Sequence, residues 1–282
     1  MFYWPFGKVS RRARLTKSPL DPRARELFAA RLRFWQWLSA DERERLEKHV
    51  QVLLAEKRFE AAGGFVLDEP TRWLVAAQAS LLLLHRNADY FPGVQSIVIY
   101  PKAFVTPVRR SLSGGAVLED TEERAGESWS WGSIILAWDE IEEGLRYGDE
   151  DGYNVVLHEF AHALDRENGS EDGMPKLDDA VAEQRWASAF TPAFQEIGDL
   201  TEGKEDPDTF LDPYAAESPA EFFAVVVESF FESPTELRDE YPAVYRELSH
   251  YFRQDPAQSQ SRLRSDSTAR ARREKPRRPR LS

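Results

Sequence analysis

Cysteine is absent from the 282-residue chain, which excludes disulfide frameworks, cysteine nucleophiles and thiolate metal sites together. Any bound metal must therefore draw on His, Asp and Glu. Histidine is itself scarce, at five residues. Long apolar runs are missing too. The longest, WLVAAQASLLLL at 73–84, has 12 residues, whereas a bilayer crossing takes roughly 20. It reads as a buried helix of a soluble, cytoplasmic protein with no membrane partner. The N-terminus sets an aromatic cluster ahead of its basic residues, the reverse of a secretory leader, so export is not expected. No internal repeat of solenoid length is present.

What is present supports a folded domain: 41% of residues are hydrophobic and 12% aromatic, enough to build a core. The formal net charge is −12, but residues 253–282 hold ten basic and three acidic side chains, which leaves −19 on the first 252. An acidic body repels phosphate backbones, so direct nucleic acid binding is not expected of it. Beyond Gln254 there are two leucines and no aromatic residue, too little apolar surface to offset ordering entropy. The expected organisation is an N-terminal extension over 1–20, one domain over 21–252 and a disordered basic tail over 253–282.

Local patterns give a coarse layout. Ser39 stands three residues before Glu42 at capping-box spacing, and Leu46, Val50, Leu53 and Leu54 form one stripe, which predicts a helix over 40–57. Helical patterns also cover 22–38, 70–84, 153–166, 178–197, 219–232 and 234–252. SIVIY at 96–100 and GSIILAW at 132–138 read as strands bounded by turn residues. Few strands flanked by many helices place the fold class as α+β.

Two of the five histidines stand in NVVLHEFAHALD, as His158-Glu159-x-x-His162. On a helix, positions four apart share a face, so both imidazoles can reach one ion. Zn²⁺ takes imidazole nitrogens, and catalytic sites keep three protein ligands and leave one position to water, from which Glu159 can remove a proton. The helix around the motif is apolar on nearly every face. Two imidazoles and a carboxylate buried there would be costly to desolvate unless coordinated or paired.

A third ligand must come from downstream, because Asp165 and Asn168 occupy the positions where the longer HExxHxxGxxH motif carries Gly and His. Glu221, in YAAESPAEFFAVVVESFFESP, sits 59 residues past His162, on the first turn of an apolar helix opened by Ser218 and Pro219. Ser218-x-x-Glu221 is equally a capping box, in which the carboxylate would turn back to the backbone. Glu217 and Glu228 are rival ligands or supporting groups. Tyr214, seven residues before Glu221, is either an oxyanion donor or an ordinary half-buried tyrosine. Asp165, near a helix C-terminus, faces the wrong end of the macrodipole. It calls for a basic partner or the ring N–H of a ligand histidine.

The blocks FEAAGGFVLDEPTRWLVAAQASLLLL, FPGVQSIVIYPKAFV, GESWSWGSIILAWDEI, NVVLHEFAHALD and YAAESPAEFFAVVVESFFESP, in that order from about Leu38 to Phe252, resemble the Mlc titration factor A family of bacterial zinc peptidases, also described as peptidase family M90. That resemblance implies a zincin-like metallopeptidase of the glutamate-ligand type, similar to the catalytic domain of anthrax lethal factor. Such a fold has a helical N-terminal part, a small sheet, the HExxH helix and a C-terminal helical part carrying the glutamate. It implies one Zn²⁺ on His158, His162 and Glu221, Glu159 as catalytic base and Tyr214 in the site. It also implies peptide or protein substrates and an Mlc-like glucose repressor as partner, a link to regulation of sugar uptake. The GSIILAW strand would be the sheet edge that pairs with substrate. The rival reading is a non-catalytic protein that sequesters the repressor and keeps a structural or vestigial zinc site.

Overall fold

A computed structural model describes residues 5–86, 89–111, 117–124, 126–127, 132–204, 207–263 and 265. Four helices lead the chain: α1 (Pro5–Leu15), α2 (Pro22–Arg31), α3 (Phe34–Trp37) and α4 (Ala40–Glu56). The capping box at the start of α4 forms in full: the Ser39 hydroxyl accepts from the Glu42 N–H and the Glu42 carboxylate accepts from the Ser39 N–H. Arg12 of α1 makes a two-pronged ion pair with Glu56 of α4, at 2.8 and 2.7 Å, which docks the first helix on the body.

A four-stranded sheet follows, interrupted by helix α5 (Glu69–Leu81), which is buried along almost its whole length. Its strands are β1 (Arg58–Ala61), β2 (Ser96–Tyr100), β5 (Gly126–Glu127) and β6 (Ser133–Ala137), in the order β1-β2-β6-β5. The first three in that order are parallel, and β5 pairs antiparallel with β6. Ile97 pairs with Ile134 and Ile99 with Leu136, so four fully buried aliphatic side chains lie in register on one face. A separate antiparallel ribbon is formed by β3 (Phe104–Ser111) and β4 (Val117–Arg124).

The remaining helices are α6 (Trp138–Asp151), α7 (Val155–Asp165), α8 (Ala180–Thr201), α9 (Pro219–Glu232), α10 (Pro234–Glu240) and α11 (Pro242–Phe252). Helix α7 packs against α9, α5 and β6, so the HExxH helix is at the centre of the molecule. Its Phe160 meets Phe91 edge-on with ring centroids 4.7 Å apart, and Trp186 of α8 stacks on Phe190 at 4.0 Å. Among the described residues no helix is long and apolar enough to cross a membrane.

Three expectations are revised. The single helix over 234–252 is two, because Pro242 lacks the N–H needed to continue α10 and instead opens α11. The strand over 132–138 is not an edge: Gly126 and Glu127 of β5 pair with Leu136 and Ile135 of β6, so β5 takes the outer position. A strand that buries Ile134 and Leu136 is protected by a neighbour rather than left open. Residues 256–263, at the start of the expected tail, are helical, with Ala257 fully buried. Asp255 caps this turn by accepting from the Gln258 N–H at 3.0 Å, and the Tyr245 hydroxyl both donates to Asp255 and accepts from the Ala257 N–H. The rest of that tail, at 264 and 266–282, and residues 1–4 of the N-terminal extension lie outside the described residues.

Candidate metal centre

Helix α7 begins at Asn154, whose side chain accepts from the Leu157 N–H at 3.1 Å. One turn apart, His158 and His162 then turn to the same side, with their Nε2 atoms 3.2 Å from each other. Helix α9 begins at Ser218, whose hydroxyl accepts from the Glu221 N–H at 3.2 Å. Here the box stays half made. The Glu221 carboxylate does not return to the backbone as Glu42 does; its Oε2 lies 3.1 Å from His158 Nε2 and 3.2 Å from His162 Nε2. Tertiary contact thus separates the two readings of Glu221: Ser218 caps the helix while the carboxylate faces the histidines.

Three ligand atoms at mutual distances of 3.1, 3.2 and 3.2 Å form a nearly equilateral triangle. Ligands about 2.0–2.1 Å from a tetrahedral Zn²⁺ lie about 3.3 Å from one another, so this triangle fits three corners of such a coordination sphere. His158, His162 and Glu221 are also the one group among the described residues whose His, Asp and Glu atoms converge closely enough to hold a metal ion. Burial would raise the Glu221 pKa, but the hydrogen bonds of His158 and His162 outweigh it and hold the carboxyl well below the usual range. Burial would lower that of His158, and the carboxylates of Glu228 and Glu221 reverse the sign and raise it.

Glu228 sits two turns along α9 and is 3% exposed. Its Oε1 lies 2.7 Å from His158 Nδ1, and its Oε2 accepts from the Asn154 N–H. It therefore lies outside the triangle and meets His158 at the ring nitrogen turned away from it. The Asn154 amide continues the chain outward, donating to Gln78 at 2.9 Å and to Glu232 at 2.6 Å, and Glu232 in turn pairs with Arg33. The rival Glu217 is exposed and lies outside the triangle.

Glu159 is 4% exposed, its Oε2 is buried with no hydrogen-bond partner, and burial raises its pKa. Tyr214 stands in a 3-10 turn (Pro213–Ala216) whose cap, Asp212, accepts from the Tyr214 N–H. It is 44% exposed, with its ring centroid 6.2 Å from that of His158. His158, His162, Glu221 and the Tyr214 ring are thus brought together, and the charges of the two imidazoles and of Glu221 reach Glu159.

Asp165 departs from expectation. It is 0% exposed, yet it takes neither a basic partner nor a histidine N–H; its Oδ2 accepts from the Gly173 backbone at 2.8 Å. With its other oxygen unpartnered, burial pushes its pKa up to about 6. Two further residues of the site carry no signal in the sequence. Gly173 adopts φ +76, and a Cβ there would stand 2.2 Å from the Pro219 carbonyl oxygen, at the first turn of α9. The loop therefore clamps the start of the Glu221 helix against the end of the histidine helix. Glu171, in the same loop, lies 3.7 Å from His162 Nδ1 and 3.1 Å from Arg166. A Gly-Ser-Glu-Asp-Gly run reads as a turn, and only its return onto α7 makes it part of the site.

A mostly helical chain with a small parallel sheet, in which an HExxH helix meets a glutamate from a second helix, falls in the metallopeptidase class. Residues 7–253 match the family described as glucose-regulated metallo-peptidase M90, and the chain belongs to that family. The match includes residues 7–20, within the expected N-terminal extension. An uncharacterized protein of Synechocystis sp. is 38% identical over 247 residues, 87% of this chain and 89% of that protein. Proteins named Mlc titration factor A are 33% identical, in Enterobacter sp. over 82% of this chain and 84% of the relative, and in Yersinia pestis over 78% and 80%.

Proposed function

We propose that the chain is a zinc-dependent peptidase of the zincin type, with His158, His162 and Glu221 as metal ligands. The observation that carries this reading is the triangle of Nε2, Nε2 and Oε2 atoms with edges of 3.1 to 3.2 Å. When bound, the ion supplies a water of lowered pKa and polarises the scissile carbonyl. Glu159, buried and without a hydrogen-bond partner at Oε2, would accept a proton from that water and deliver it to the leaving amine. The Tyr214 phenol donates a hydrogen bond to the oxygen on which negative charge develops. His162 and His158 act as neutral ligands, the latter held by Glu228.

The test is metal analysis of the purified protein beside Glu159→Gln. Stoichiometric zinc in both, with peptide hydrolysis lowered by at least about 10²-fold in the variant, is the expected result. Protein that holds no transition metal and takes none up on dialysis would remove the enzymatic reading, and undiminished cleavage by the variant would remove Glu159 as base.

A second role rests on the relatives named Mlc titration factor A. The proposed partner is an Mlc-like transcriptional repressor, which places the chain in the cytoplasm. A purely structural metal site needs no carboxylate at Glu159, which favours catalysis alongside binding over binding alone. Capture of a purified repressor by wild type and Glu159→Gln in equal amount, with cleavage of peptide by wild type alone, is the outcome expected for a protein with both roles.

A further inference from the structure

His158 stands at the end of a chain of hydrogen bonds that begins in the N-terminal third of the molecule. Leu32, Phe34 and Trp35 are buried, which pins the backbone of Arg33 between them to the core, and its Nη2 donates to Glu232 Oε2 on α9. At Gly148 of α6 a Cβ would stand 2.8 Å from Arg33 Nη2, 2.7 Å from the Tyr153 carbonyl oxygen and 3.4 Å from the Glu232 carboxyl carbon. The missing side chain there leaves the room in which guanidinium and carboxylate meet.

Glu228 and Glu232 lie four residues apart on α9, with side chains only 4% and 9% exposed. Both converge on Asn154: Glu228 Oε2 accepts from its backbone N–H, and Glu232 Oε1 accepts from its side-chain amide at 2.6 Å. Like charges at that spacing repel, and burial strengthens the repulsion. The Arg33 guanidinium offsets the second carboxylate and also sets its direction, because Oε2 faces Nη2 and Oε1 is turned to Asn154. An asparagine side chain donates from one end and accepts at the other. With Nδ2 bonded to Glu232 and Gln78, Oδ1 faces the Leu157 N–H and caps the histidine helix. Whatever holds Glu232 therefore holds the start of α7, together with the N–H on which Glu228 rests while it meets His158 Nδ1.

We infer that Arg33 is a positioning residue for the metal centre, acting on His158 through Glu232, Asn154 and Glu228. Its role rests on the reading of His158, His162 and Glu221 as zinc ligands. Arg33 touches neither ion nor substrate; it limits how far the His158 ring can turn from the direction in which Nε2 meets the other two ligand atoms. The segment between α2 and α3, which supplies no ligand, is in this way part of what sets the affinity of the site.

Chelator competition on the full chain measures zinc affinity, and urea unfolding measures stability beside it. Arg33→Met is expected to lower the affinity about fivefold or more, and Arg33→Lys, which keeps charge and donor, to recover most of the loss. Arg25→Met is the matched control, since Arg25 pairs with Glu47, whose side chain is 7% exposed. It should change zinc affinity by less than about twofold, whatever it does to stability. Glu228→Gln cuts the chain next to His158, so adding Arg33→Met to it should cost less than about twofold more. A loss that adds in full to that of Glu228→Gln, or that Arg25→Met reproduces, would make Arg33 an ordinary structural pair. Equal affinity in wild type and Arg33→Met would remove Arg33 from the metal centre and leave the three ligands standing, whereas a wild type that takes up no zinc would remove the ligands and the role of Arg33 with them.

Discussion

Glu228 lies 2.7 Å from His158 Nδ1, while Glu221, two turns earlier on the same helix, lies 3.1 Å from Nε2 of that ring. One helix thus addresses both nitrogens of one imidazole. A proton held on Nδ1 by Glu228 would leave the Nε2 lone pair free for a metal ion once one is bound. The opposite histidine has no such backing: His162 Nδ1 is buried without a hydrogen bond, and Glu171 stands off at 3.7 Å.

Glu228→Gln is therefore expected to lower zinc affinity by about 10–100-fold while the fold persists. Competition with a chromophoric chelator measures this. Unchanged affinity would show that His158 needs no carboxylate behind it.

Gly173→Ala is expected to destabilise the protein by about 2–4 kcal/mol, since the methyl must fit where the Pro219 carbonyl already stands and the backbone is left-handed. Gly64 gives the comparison. Its φ is +82, and nothing lies within 4 Å of the place a methyl would take, so Gly64→Ala should cost only about 1 kcal/mol. Urea unfolding of the two variants checks the difference, and equal losses would refute the clamp.

Tyr214→Phe keeps the ring and removes the donor. Turnover is expected to fall about 10²-fold with KM and zinc content little changed. A rise in KM at constant kcat would instead assign the phenol to substrate binding.

His49 sets an acid limit. Burial lowers its pKa to about 4, and its Nδ1 lies 2.7 Å from the Tyr90 hydroxyl. The unfolded chain takes up a proton on this ring near pH 6.5 and the folded one only near 4. The unfolded state thus binds more protons between those values, and stability falls as pH drops through that window. His49→Leu should flatten this part of the stability-against-pH curve. An unaltered slope in chemical denaturation from pH 7 to 4.5 would show that His49 is not its source.

Much of this architecture is legible in local chemistry. Helix α9 starts and stops where Ser218, Pro219 and Ser233 say it should, and the expected range of 219–232 is the observed one. Contacts distant in sequence are the illegible part. Ser39-x-x-Glu42 and Ser218-x-x-Glu221 are the same pattern, and only the presence of two imidazoles opposite the second diverts its carboxylate. The β3–β4 ribbon is hard to see because Pro107 and a string of charged residues weaken its strand signal, although Ser-Gly-Gly between the two halves is a turn cue. The cap of the 256–263 turn is visible in Asp255-Pro256, but the basic composition beyond it masks the signal.

Asn154 joins two tasks that proteins commonly keep apart. Its side chain starts the histidine helix, and its own N–H is gripped by the carboxylate that steers His158. Fraying at that helix start and misalignment of the imidazole are consequently one event. Heat, denaturant or a substitution that releases either end should surrender the ion before the surrounding core gives way, so metal release would serve as an early alarm for loss of structure.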